Sequence, residues 1–395
     1  MNKEKIVQRV ESLRADLLEL SHKIHSNPET GGNEIQAVQW QKELLVREGF
    51  SFETPYCGME TAYRAVYKGK GEGPVITFLS EYDALEGLGH GCGHNLMAAS
   101  AVGAAVGLKD ALGDQAGEIR VYGTPAEETW GGKIPMVEQG AFRDVDFGLM
   151  FHPSTDNIIN RQGKACVGVK AKFIGKSAHS SRPETGINAL TALIGLFNRT
   201  FSQLEIWPAG ARCNGIVING GTASNIITEE AEGDFLLRAH TLKDLQIMSE
   251  DFKVLAQAAA DEVGATVSMV WEPAFAERYT NRAMGMAFLE NMEVLGEKMN
   301  LPNPAEQVGS SDVGNVSLVI PVIHEYLKIA EPSVNGHSKE FREASVSERG
   351  DEVVLLAAKG LAMTAYDLFT NKELQKEVKE EFDRVVPLEY REMFK

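Results

Sequence analysis

Basic residues are in short supply. Lysine and arginine number 39 against 56 aspartates and glutamates, a formal charge of −17 over 395 residues. A chain this acidic, with no basic stripe, is repelled by nucleic-acid backbones and anionic lipid surfaces, so neither is an expected partner. Cysteine is sparse too. Cys57, Cys92, Cys166 and Cys213 are scattered, which fits a reducing compartment better than a disulfide framework. No apolar run is expected to reach membrane-spanning length. Residues 1–14 lack the cationic start, apolar centre and small-residue cleavage site of a secretory leader. Internal repeats and low-complexity tracts are also missing. Together these absences lead to the expectation of a soluble, cytoplasmic protein.

What is present is an ordinary globular balance, 43% hydrophobic and 24% charged, in a chain long enough for two or three domains. Apolar runs at 75–79, 119–122 and 147–151 read as buried strands, and each leads into a polar cluster. Residues 96–112, rich in Ala and Gly, suit a helix packed close against a sheet. Strands alternating with helices indicate an α/β layer architecture, in which ligands bind beyond the carboxyl ends of the strands. The candidate chemical residues fall at those ends three times.

The pattern then changes from continuous to alternating. Strands at 167–173, 215–218, 230–239 and 266–271, with helices at 187–201 and 242–263, give the order βαββαβ of the ferredoxin-like motif. We read 164–275 as an inserted α+β domain, with 1–163 and 276–395 forming one discontinuous α/β domain around a central mixed sheet. A helix at 284–298, a strand within 319–329 and a helix at 351–369 complete the latter.

The chemistry centres on Gly89-His90-Gly91-Cys92-Gly93-His94-Asn95. In an extended or turning backbone, residues at i and i+2 project to one side, so Cys92 and His94 can converge on one divalent ion. Glu127 and Glu128 are adjacent, and neighbours in an extended segment diverge. One can ligate metal while the other acts as general base on water. His152 follows an apolar strand, His337 sits in a Gly-containing loop, and Asp83 is placed to hold a ligand histidine in one tautomer. His22 and His25 are read as structural.

These fragments have a family look. Glu81-Tyr82-Asp83-Ala84-Leu85, His90 to Asn95, Pro125-Ala126-Glu127-Glu128 and His152-Pro153 together resemble the amidohydrolase branch of the di-metal aminoacylase/carboxypeptidase G-like metallopeptidases. That branch includes hippurate, indole-acetyl-amino-acid and aminobenzoyl-glutamate hydrolases. The run Gly309 to Ser317 is most similar to aminobenzoyl-glutamate hydrolase and the β-alanyl-lysine-type dipeptidases.

The resemblance implies metal ligation by Cys92, His94, Glu128, His152 and His337, with Cys92 shared between two Zn2+ or Mn2+ ions and Asp83 behind the ligands. It implies Glu127 as the base that activates the bridging water. His179 would polarise the scissile carbonyl across a homodimer formed through the inserted lid domain. Asn225 and Arg238 would bind the substrate carbonyl or its terminal carboxylate. Thr228, where many relatives have proline, and Pro153-Ser154 depart from the commonest pattern.

The leading expectation is therefore hydrolysis of an amide in an N-acyl-amino acid or dipeptide-like substrate. Two alternatives stand beside it: a hydrolase using Cys92 as nucleophile, and a non-catalytic metal-bound binding protein. A chelator separates the first alternative, and loss of a ligand or of the base would mark the second.

Overall fold

The computed structural model describes residues 2–113, 115–303 and 308–393. Its strands, in chain order, are β1 (Ser51–Glu53), β2 (Tyr63–Lys68), β3 (Val75–Ser80), β4 (Glu118–Gly123), β5 (Phe147–Ser154), β6 (Ala165–Ile174), β7 (Arg212–Asn219), β8 (Glu230–Ala239), β9 (Thr266–Trp271) and β10 (Val322–Lys328). They make two sheets in two compact units. Unit 1 comprises Met1–Gln162, Arg278–Val308 and Asn315–Lys395; unit 2 comprises Gly163–Glu277 and Gly309–Gly314. The segment Gly309–Gly314, expected with the first domain, groups with the second. Lys164 N–H donates to Gly309 O at 2.9 Å, and Arg238 Nη1 donates to Ser310 Oγ at 2.9 Å.

Unit 1 carries a mixed six-stranded sheet in the order β1-β2-β4-β3-β5-β10. The strands β4, β3, β5 and β10 run parallel, and β1 and β2 join antiparallel at one edge. After their first residues β3 and β4 are buried without a break, the mark of strands covered on both faces. The helix His94–Leu112 packs on β3, β4 and β5, and the helix Glu348–Thr370 packs on it in turn. In the former only Lys109 and Asp110 escape burial, and its alanines and glycines are what permit so close an approach. The helix Glu348–Thr370 corrects one expectation: by length and composition it could cross a membrane. Its apolar window is 67% buried within the protein, and Val353, Leu361 and Leu368 serve the core.

Unit 2 has an antiparallel sheet in the order β7-β8-β6-β9, with the helices Ala189–Gln203 and Leu242–Val263. This is the expected ferredoxin-like arrangement. Burial alternates residue by residue along β8, and Phe235 and Leu237 join Leu193, Leu196, Met248 and Phe252 in the core. A one-residue slip would expose that whole set, and each such side chain contributes roughly 1.5–3 kcal/mol when buried, so the register is firmly held. Asn188 and Thr241 cap the two helices by accepting backbone N–H groups.

Candidate metal centre

Beyond β3 the chain passes through buried Glu81, Tyr82 and Asp83, turns, and enters the helix His94–Leu112. Gly93, the residue before that helix, has φ +75°, a left-handed conformation costing other residues about 1–2 kcal/mol. A Cβ on it would lie 2.7 Å from Pro153 Cγ. The route to convergence is the turning backbone, one of the two geometries expected, and not the extended one. Left-handed Gly93 connects Cys92 to the first residue of a helix that begins at His94, not at 96.

Glu127 and Glu128 also diverge for a different reason than expected. They lie in a turn that follows Ala126, whose φ is +60°. The Ala126 carbonyl accepts N–H groups from Thr129 at 3.2 Å and Gly131 at 2.9 Å. β5 runs on to Ser154, so His152 sits within the strand, opposite Tyr326 of β10. His337, with φ +58°, occupies the loop after β10, and its N–H donates to Gly91 O at 3.1 Å. That bond brings the loop beside Cys92.

The result is two overlapping triads. Ligand atoms of Cys92, His94 and His152 lie within 4.8 Å of one another, and so do those of Cys92, Glu128 and His337. Cys92 belongs to both. Asp83 accepts from His94 Nδ1 at 2.9 Å, and its second oxygen accepts the Glu128 N–H at 3.0 Å. His94 is thereby held with Nε2 turned toward its triad. His152 is held similarly, with Nδ1 2.6 Å from the Pro153 carbonyl.

A third group joins His94 to Glu81 and Glu127. Glu81 accepts from buried Lys133 Nζ at 2.5 Å and lies 3.3 Å from His94 Nε2. Sequence pattern assigns no role to Glu81 or Lys133, although a single lysine opening the apolar helix Lys133–Glu138 is a visible signal. It gives none to His324 either. That histidine accepts from Arg278 Nη1 at 2.5 Å and places its ring 5.5 Å from that of His152.

The electrostatics are those of a negatively charged cage. Burial, and after it Glu128, pushes the Cys92 thiol well above its ordinary value. Burial works against an imidazolium at His94, but Asp83 and Glu81 outweigh it and lift that pKa well above the usual range. Burial and the charge at His94 take His152 down to about 3, leaving a neutral donor.

His94 Nε2 and Glu128 Oε1 are buried and make no hydrogen bond. His337 Nε2 and Glu128 Oε2 stand 3.6 Å apart, near the roughly 3.4 Å between two ligands of one tetrahedral ion at about 2.1 Å. Thiol, imidazole and carboxylate donors with orphaned buried atoms fit divalent cations in both triads.

The other expected residues lie in unit 2. His179 and Asn225 are exposed neighbours: Ser180 N–H donates to Asn225 O at 2.9 Å, and His179 bridges to Ile226. Ser181 N–H donates to His179 Nδ1 at 3.1 Å. Arg238 is on β8, half-buried beside Ser310. His22 and His25 contact Asp351 and the Arg342 carbonyl, as structural residues do.

A family model described as a peptidase dimerisation domain matches residues 163–264. The Xaa-Arg dipeptidase of Mus musculus is 35% identical over 96% of this chain and 92% of its own length. A p-aminobenzoyl-glutamate hydrolase chain of Escherichia coli K12 is 26% identical over 95% of this chain and 94% of its own. A solved Bacillus subtilis structure, a dinuclear metal-binding peptidase from the M20 family, has a similar fold: TM-score 0.67 at 20% identity, covering 90% of this chain and 99% of that one.

Proposed function

The chain belongs to the M20 family of metallopeptidases, and from that premise we propose that it is a two-cation hydrolase of dipeptide-like amides. The observation that carries this reading is the pair of triads sharing Cys92, with Glu127 alongside. Cys92, His94 and His152 would hold one divalent ion, and Cys92, Glu128 and His337 the other, Zn2+ and Mn2+ both suiting the donors. Two such ions supply Lewis acidity toward the amide carbonyl and make water acidic enough to react near neutral pH.

The rest falls to the protein. Glu127 takes the proton from the attacking water and returns it to the leaving amine. Asp83 holds His94 in one tautomer and orientation. His179 and Asn225 donate to the carbonyl oxygen as it gains charge, and Arg238 presents its forked donors to a terminal carboxylate. A substrate with a basic C-terminal residue is favoured over an acidic one by the closer likeness to the Xaa-Arg dipeptidase, 35% against 26% identity. A Cys92 nucleophile fares worse, because a reactive thiol needs its pKa lowered and burial raises this one.

Unit 2 supports a homodimer. β7 is an edge strand with Ile216, Val217 and Ile218 exposed, and such edges pair with a second copy unless blunted. A reducing, cytoplasmic setting is part of the same reading, supported by four scattered cysteines of which none is in a disulfide.

The test is a panel of Xaa-Arg dipeptides, aminobenzoyl-glutamate and N-acyl-amino acids offered to enzyme stripped by chelator and reloaded with Zn2+ or Mn2+. Stripping should abolish hydrolysis and reloading restore it. Glu127→Ala should lose roughly 10²–10⁴-fold in kcat while keeping its metal. Activity that survives the chelator, or a fully active Glu127→Ala, would overturn the mechanism. Mixing inactive His179→Ala and Glu127→Ala subunits should regain partial activity if the site is shared across the dimer.

A further inference from the structure

Glu34 is a fully buried carboxylate far in sequence from the centre. It occupies the N-cap position of the helix Ile35–Arg47 yet makes no side-chain bond to that helix. Glu29 caps instead, accepting the N–H groups of Gln36 and Ala37 at 3.0 Å. The Glu34 side chain turns away and accepts the N–H of Ala126 at 2.8 Å. Ala126 is the left-handed residue immediately before Glu127. On the other side of Glu127, the N–H of Glu128 is bound by Asp83 at 3.0 Å. Glu127 therefore sits between two backbone groups, each fixed by a buried carboxylate.

The loop carrying Glu34 presses on the same turn. A Cβ on Gly31 would lie 2.9 Å from both Cα and Cβ of Ala126. The loop is itself tied to the segment after β3, because Ala84 N–H donates to Glu29 O at 2.8 Å. Left-handed alanine costs about 1–2 kcal/mol, so this turn needs outside support to persist.

We propose that Glu34 is a positioning residue for the base: with Asp83 it clamps the backbone on either side of Glu127, and the Gly31 contact seats the turn. This rests on Glu127 being the base. A displacement of about 1 Å in a reacting group costs on the order of 100-fold, so loosening the clamp acts on kcat, leaving metal and substrate affinity in place. Burial pushes the Glu34 carboxyl up to about 7, and glutamine keeps the side-chain shape and the oxygen that accepts the Ala126 N–H.

The experiment compares Glu34→Ala, Glu34→Gln, Gly31→Ala and Glu127→Gln, measuring kcat and KM on the best substrate of the panel, metal content, and hydrogen exchange of a peptide covering 124–132. Glu34→Ala should lose roughly 10- to 100-fold in kcat, with KM and metal content unchanged and faster exchange in that peptide. Glu34→Gln should restore kcat and protection, whereas Gly31→Ala should mimic Glu34→Ala with full metal content. If Glu34→Ala does not fold, Glu34→Gln and Gly31→Ala carry the test. Wild-type kcat in Glu34→Ala or Gly31→Ala, a Glu34→Gln as slow as the alanine variant, or a kcat loss that merely tracks lost metal would overturn the proposal. An active Glu127→Gln would instead overturn the reading of the base.

Discussion

The two triads that share Cys92 are built from different material. One is interior: His94 has no exposed surface, starts a buried helix and is gripped by Asp83, while His152 lies within β5. The other opens to solvent at His337, while the Glu128 side chain is only 10% exposed. Glu128 stands in a turn, and the His337 side chain is 59% exposed on a loop held to Gly91 by a backbone bond. The contrast teaches that one pair of proposed ligands sits within regular structure, while the other reaches the centre from a turn and a loop. The interior ion should bind tighter and exchange more slowly, and the outer one should be lost first.

The strongest way to break that comparison is at the shared residue. If the two cations supply most of the reactivity, as proposed, Cys92→Ala should remove both ions and lower kcat/KM by at least about 10³-fold. Retention of one ion at native affinity, seen by metal analysis, would show that the thiol is not shared.

The asymmetry itself is tested by paired substitutions. His94→Ala should release the interior ion and lower the melting temperature, because it leaves a hole and a stranded Asp83 in the core. His337→Ala should retain one ion per chain and melt close to wild type, since its side chain is exposed. Equal losses from both would erase the distinction. A smaller effect sharpens it: Asp83→Asn should weaken the tighter ion by roughly 10–100-fold, the usual cost of losing a partner that orients a ligand histidine. A titration with competing chelator would measure it.

Much of this arrangement is readable from local pattern. Strands such as β3 and β4 announce themselves because a sheet covered on both faces admits only apolar residues, and β8 because one exposed face forces alternation. Cys92, His94, Glu128 and His152 stand out as donor types near the ends of such strands. What local pattern cannot carry is contact across long separations. Glu81 meets Lys133 over 52 residues and Glu34 meets Ala126 over 92, and a buried carboxylate reads like a solvated one until its partner is in view. Backbone handedness is hidden as well. Gly93 allows a left-handed turn without requiring it, and nothing marks Ala126 as left-handed. The hydropathy of Glu348–Thr370 shows the converse, an interior helix whose composition also suits a membrane.

The helix His94–Leu112 begins with a proposed ligand and is interior along nearly its whole length. Segments of that kind open only when the domain opens as a whole. On the proposed reading the protein carries its own quality control: a copy with a disordered interior would have no grip on His94 and could not assemble the cage. Damaged or half-folded molecules should then be silent, not indiscriminate, hydrolases.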